Sequence, residues 1–150
     1  MVWKPRVTVA AIAERQGRFL MVEEQVDDAI RFNQPAGHLE DSESLLDAVV
    51  RECLEETAWH FHPDALIGLY RWRQPGSGET WLRATFSGKC VEFDSHRTLD
   101  DGIIAAHWLT RDEICLREQQ LRSPLVLRCI DDYLLGRQFP LNLLVEMDEA

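Results

Sequence analysis

Between Leu45 and Thr57 the apolar residues stop recurring every second position and recur every third and fourth, and this change limits the available folds more than any other feature. Leu46, Val49, Val50, Cys53 and Leu54 form one stripe of an amphipathic helix. Ser42 or Ser44 caps its start, and Asp47, three residues after Ser44, would complete a capping box. A helix with one apolar face needs a partner layer. Residues 6–13 and 19–22 read as two strands around the Gln16-Gly17 turn, and residues 31–34 as a short strand ended by Pro35. Residues 65–72 and 81–91 flank the turn Pro75-Gly76-Ser77-Gly78, and residues 103–109 form another strand. Thr110 and Glu113 make a second capping box that opens a short helix, and Ser123-Pro124 starts a last helix over residues 125–135 that Gly136 stops. This order predicts one mixed-sheet α/β or α+β domain spanning residues 1–150.

The central helix also carries Arg51-Glu52-Cys53-Leu54-Glu55-Glu56. On a wheel of about 100° per residue with Glu52 at zero, Glu56 falls near ~40° and Glu55 near roughly −60°, so the three carboxylates share one face beside the apolar stripe. Packing that stripe on a sheet would hold them along the edge of a cleft. Three like charges in the last turn, where the helix dipole also disfavours anions, are costly as pure structure. Arg51, four residues before Glu55, offsets part of that cost. Hard divalent cations would remove the rest, and Mg²⁺ or Mn²⁺ commonly joins such carboxylates to substrate phosphates. A solvated acidic helix face has the same spacing, so spacing alone leaves both readings open.

The wider pattern is more specific. Gly37, five residues, Glu43, seven residues and then Arg51-Glu52-Cys53-Leu54-Glu55-Glu56-Thr57-Ala58-Trp59 resembles the Nudix box, Gly-x5-Glu-x7-Arg-Glu-U-x-Glu-Glu-x-Gly-U, over residues 37–59 with every charged position matched. Pro35-Ala36-Gly37-His38-Leu39-Glu40, Trp108-Leu109 and Arg122-Ser123-Pro124-Leu125-Val126 are similar to the NudJ-type phosphatase branch of this MutT-like superfamily. The resemblance implies the Nudix fold, a mixed β-sheet packed between helices. It implies a hydrolase that cuts phosphoanhydride bonds of small nucleoside tri- or diphosphates, or of pyrimidine diphosphates of thiamine metabolism, with Mg²⁺ as cofactor and Mn²⁺ as substitute. It further implies that Glu52, Glu55, Glu56 and the Gly37 carbonyl hold metal while Arg51 and Glu43 orient the carboxylates. Glu52 is the first candidate for general base, and Glu79, Glu92, Asp94, Asp100 and Asp101 are the loop candidates. Ala58 stands where the box has glycine, and Cys53 and Trp59 hold its aliphatic places. A left-handed backbone at Ala58 would cost on the order of 1 kcal/mol.

Substrate contacts are less sharply specified. Arg71 and Arg73 share one strand face, with Arg83 across the hairpin, and form either a phosphate clamp or a solvated face. Tyr70, Trp72 and Trp81 either stack on a flat heterocycle or belong to the core. His38 either touches phosphate or bonds to backbone. Pro75, sixteen residues after Trp59, sits near a mark of ADP-ribose hydrolases, but beside turn glycines it reads first as a hairpin.

The formal net charge of −10 disfavours nucleic acid and anionic membrane as partners, which leaves a small-molecule nucleotide or organic diphosphate. No leader pattern or membrane span appears, so a cytoplasmic monomer or homodimer is expected. Four cysteines without a CxxC pair read as reduced, buried thiols. The competing functions are a Nudix pyrophosphohydrolase of the ADP-ribose or dinucleotide type, a non-catalytic nucleotide or ADP-ribose sensor, and an acidic interaction module without ligand.

Overall fold

Strand β1 (Arg6–Arg15) organises the architecture by pairing with three neighbours in the computed structural model, which describes residues 1–147. It pairs antiparallel with β4 (Ala36–His38), in parallel with β6 (Thr80–Phe93), and only through Glu14 and Arg15 with β2 (Arg18–Val26). Strand β2 then pairs with β3 (Ala29–Asn33) and β7 (Ile103–Thr110), and β6 with β5 (Trp59–Arg73), completing a mixed seven-stranded sheet.

Parallel pairing at the middle of a sheet calls for cover on both sides. Helix α1 (Leu45–Thr57) packs Ala48, Val49 and Cys53 on Val9, Ala11, Ala84 and Phe86. Helices α2 (Arg111–Cys115) and α3 (Leu125–Leu134) cover the opposite face, where Ile114, Val126, Cys129 and Ile130 meet Ile12, Phe19 and Met21. The mixed sheet between helices is therefore present as expected.

Both ends of α1 follow from local chemistry. Ser44 Oγ accepts the Asp47 N–H at 3.0 Å, but among the described residues the Asp47 carboxylate makes no return bond. Aspartate is one carbon shorter than the glutamate of a true box. Thr110 and Glu113 do form both bonds. At the C-terminus Ala58 is left-handed, with φ 63° and ψ 12°, and its N–H donates to Leu54 O at 2.9 Å. Glycine there would relieve about 1 kcal/mol of strain, yet would forfeit about 0.8 kcal/mol from a buried methyl. Ala58→Gly is accordingly expected to move Tm by less than about 3 °C in a calorimetric melt. A rise of about 6 °C or more would show that the strain far outweighs the methyl contact.

Three local readings change. Strand β4 was not expected, since three residues are too few to show a period. Strand β5 begins at Trp59 and not at residue 65, so the strand takes in a proline, Pro63. It is tolerated on a bulged outer strand, with register shifts at His60/Phe61, Pro63/Ala65 and Leu66/Gly68. Leu66 also exchanges backbone hydrogen bonds with Phe139 at 2.9 and 2.8 Å. Finally, Cys53, Cys90 and Cys129 are buried free thiols, but Cys115, at the end of the five-residue α2, is exposed.

Candidate active site

The site forms where α1 meets β4. Gly37 has no side chain, and a Cβ there would overlap the Glu52 carboxyl, so this glycine lets the helix bring Glu52 onto the strand. Arg51 ties the neighbouring carboxylates together. Its Nε and Nη2 donate to the two Glu43 oxygens at 3.0 and 2.7 Å, and Nη1 donates to Glu52 Oε1 at 2.8 Å and Glu55 Oε2 at 3.1 Å. Nη2 also reaches the His38 carbonyl at 3.0 Å, which binds the helix to β4. The paired guanidinium holds Glu43 below the ordinary carboxylate value, and the carboxylates raise Arg51 above its own.

Glu56 takes a different partner. It accepts the Ala36 N–H at 2.8 Å and is only 8% exposed. Burial pushes its pKa up to about 8 against that hydrogen bond, with the charges of Glu52, Glu24 and Asp100 adding to the rise. Burial raises Glu52 as well, despite Arg51. Among the described residues no three acidic, histidine or cysteine side chains converge into a closed ligand set. The donors nevertheless suit a hard divalent cation: they are all oxygens, they are clustered, and Arg51 cannot neutralise the charges of Glu43, Glu52, Glu55 and Glu56 together.

A cleft of about 300 Å³ lies next to the cluster, and Gly37, His38, Glu24, Trp72, Trp81 and Arg83 are among its lining residues. The His38 ring packs on Trp81 at 5.6 Å between centroids, and the Arg6 guanidinium carbon lies 5.6 Å from the same Trp81 ring. Arg83 is 6% exposed; its Nη1 donates to Gln34 Oε1 at 3.1 Å and its Nη2 to Asn33 Oδ1 at 3.2 Å.

A family model described as NUDIX domain matches residues 3–129. The chain belongs to the Nudix family. This Nudix hydrolase is 36% identical over 143 residues to Phosphatase NudJ of Escherichia coli strain K12, which spans 95% of the chain and 92% of that protein. Phosphatase NudJ of Shigella sonnei matches to the same extent, with 36% identity over 143 residues. Among solved structures, a NUDIX hydrolase from Nitrosomonas europaea is 48% identical with a TM-score of 0.96, covering 98% of this chain and 100% of that one. A MutT NUDIX hydrolase from Burkholderia pseudomallei, 22% identical with a TM-score of 0.71 over 87% of this chain and 98% of that one, shares the fold. Acting on phosphoanhydrides is thus this enzyme's class of reaction.

The other candidate residues of the Nudix chain divide by strand register. Arg83 stands opposite Tyr70, and Trp72 opposite Trp81, so these four share a face of the sheet. Arg71 stands opposite Leu82 and, with Arg73, points the other way. The clamp joining Arg71 and Arg73 to Arg83 is therefore not formed, and Arg71 is exposed. Tyr70 is on the right face but packs in the α3 core and donates its hydroxyl to Asp132 Oδ2 at 2.8 Å, so it does not line the cleft. His38 lies on a strand and lines the cleft, and its carbonyl is held by Arg51.

Of the loop acids, Asp100 is tied to the cluster: its N–H donates to Glu55 O at 3.0 Å, and its charge acts on Glu52 and Glu56. Glu79 pairs with Arg6 and Asp94 accepts the His96 N–H, while Glu92 and Asp101 are exposed. Sequence reasoning did not single out Glu24, Asn33, Gln34 or Arg122 as site residues. All but Gln34 line the cleft, and Gln34 holds Arg83.

Proposed function

We propose that this Nudix hydrolase removes the terminal phosphate from small nucleoside tri- and diphosphates, or from pyrimidine diphosphates of thiamine metabolism, with Mg²⁺ as cofactor and Mn²⁺ as substitute. The observation that carries this reading is the placement of Glu52 and Glu56 against Gly37 and Ala36, beside a cleft of about 300 Å³. The 36% identity to proteins named Phosphatase NudJ supports the phosphatase form of the reaction.

Glu52, Glu55, Glu56 and the Gly37 carbonyl would hold the cation. A bound divalent cation supplies charge neutralisation on phosphate oxygens and helps a water ionise. The protein's own groups do the rest. Arg51 fixes Glu52 and Glu55 through its Nη1, and Glu43 fixes Arg51 through two hydrogen bonds. Glu52, whose burial raises its affinity for a proton, accepts the proton of the attacking water. Trp72 borders the organic group. The cleft is at the small end of ligand sites, and a chain of net charge −10 repels a long polyanion beyond the cleft. Among the described residues no helix is long and apolar enough to cross a membrane, and we assign the enzyme to the cytoplasm as a monomer or homodimer.

The test is a panel of nucleotides, sugar nucleotides and thiamine-pathway diphosphates with Mg²⁺, reading orthophosphate against pyrophosphate. Orthophosphate should appear in single steps, at comparable rates for several bases. In competition at equal 5′-end concentration and physiological salt, free nucleotides should be consumed ahead of 5′-triphosphate RNA. Preference for the RNA end would replace this reading with a decapping-type role.

A further inference from the structure

Arg83 carries a charge that no ion pair in the fold meets. It lies on β6, is 6% exposed, and bonds only the neutral oxygens of Gln34 and Asn33. Among the described residues no carboxylate pairs with it. Burial lowers its hold on the proton most and the nearby charge of Arg122 lowers it further, while Cys129 and the charge of Glu56 act the other way without reversing the fall. Arg122 lines the same cleft with its Nη1 on Glu24 Oε1 at 2.7 Å, so of the two guanidinium groups there only Arg122 has a carboxylate partner. Withdrawing a cation from water without a counter-charge is expensive, and a second cation nearby makes it more so. A neutral side chain could bridge β6 to Asn33 and Gln34 without that expense. Two cations gathered at one recess of a chain whose net charge is −10 therefore suit an anion.

The alternative occupant of this end is a flat ring, and the cleft is poorly arranged for one. Trp81 already packs against His38 and Arg6, and its Nε1 is committed to Gln74 Oε1 at 3.2 Å. Trp72 stands between the cleft and a more open recess lined by Pro75, Leu121 and Leu127, which leaves the organic group a route outward.

Building on the hydrolase reading, we propose that Arg83 and Arg122 form a phosphate subsite that seats the terminal phosphoryl group and so fixes cleavage at the outermost anhydride. The water oxygen bonds to the terminal phosphorus, and the bond from that phosphorus to the bridging oxygen breaks. The electron pair stays on the bridging oxygen of the shortened substrate, one water proton passes to the base, and orthophosphate remains between the arginines. The organic group lies toward solvent, which accounts for tolerance of several bases.

The first test uses metal-free protein in excess chelator, melted with inorganic phosphate or with potassium chloride of matched ionic strength. Phosphate should raise the wild-type Tm by about 3 °C or more near saturation, and Arg83→Gln and Arg122→Gln should lose at least half of that rise. No phosphate-specific rise in wild type, or an undiminished rise in the variants, overturns the subsite. The second test reads products from a nucleoside triphosphate with Mg²⁺. Arg122→Gln, at a half-exposed position, should lower kcat/KM about tenfold and raise the ratio of pyrophosphate to orthophosphate. Wild-type kcat/KM with an unchanged ratio overturns the seating of the terminal phosphate. Should Arg83→Gln not fold, Arg122→Gln carries both tests. A wild type that binds phosphate without hydrolysing any substrate overturns the proposed reaction but keeps the anion subsite, so the two failures are distinguishable.

Discussion

In excess chelator, turnover of a nucleoside diphosphate is expected to fall to the uncatalysed background and to return when Mg²⁺ or Mn²⁺ is supplied in excess. The reason is electrostatic. Glu43, Glu52, Glu55 and Glu56 crowd the proposed reaction centre, and Arg51 is already shared among the first three. Full turnover in chelator would remove the metal from the reaction altogether. Stability should report the same crowding. Glu56 has its folded pKa raised from 4.5 to about 8, so its contribution to stability is fully present below about 4.5 and is lost as pH rises through about 8. Metal-free protein should therefore melt roughly 5 °C lower at pH 8.5 than at pH 5.5, and saturating Mg²⁺ should flatten that slope, because ligation favours the ionised carboxylates. A metal-free Tm that rises over this interval would contradict the assignment of an uncompensated, buried Glu56.

Glu56→Gln is expected to keep the fold and to lower kcat by at least about a hundredfold. The amide is nearly the shape of the carboxyl, and its oxygen can still accept the Ala36 N–H, now at 2.8 Å from Glu56 Oε1. Only the charge is lost, along with the proposed metal affinity that depends on it. Unfolding and loss of chemistry separate cleanly here. Removing a buried charge should leave metal-free Glu56→Gln at least as stable as wild type at pH 8.5, while its rate collapses. Near-native turnover in a variant verified to be folded would move the reaction centre away from α1.

The grouping of Arg51, Glu52 and Glu55 was legible because they lie on one helix, and a helix converts spacing into position with little help from the rest of the chain. Thr110 with Glu113 was legible for the same reason, since a cap is complete within four residues. Residues that depend on pairing register were harder. Whether Arg83 joins Arg71 or Tyr70 is decided by the β5–β6 register, and the observed partners put Arg71 and Arg83 on opposite faces. Asn33 and Gln34 reach Arg83 across about fifty positions of sequence, and Glu24 meets Arg122 across ninety-eight, so no local pattern announces them. Ala58 shows the opposite case: its left-handed conformation follows from the place it occupies in the box, even though its residue type argues against it.

The irregular start of β5 has a consequence for life at high protein concentration. A fifteen-residue outer strand would ordinarily offer a long row of free N–H and C=O groups to a foreign strand. Here Pro63 lacks an N–H, three register shifts break the row into short pieces, and Leu66 is already occupied by Phe139. Cross-chain strand addition along this border would have to pair with an interrupted template, so Pro63 and the bulges beside it protect the strand from amyloid-like recruitment.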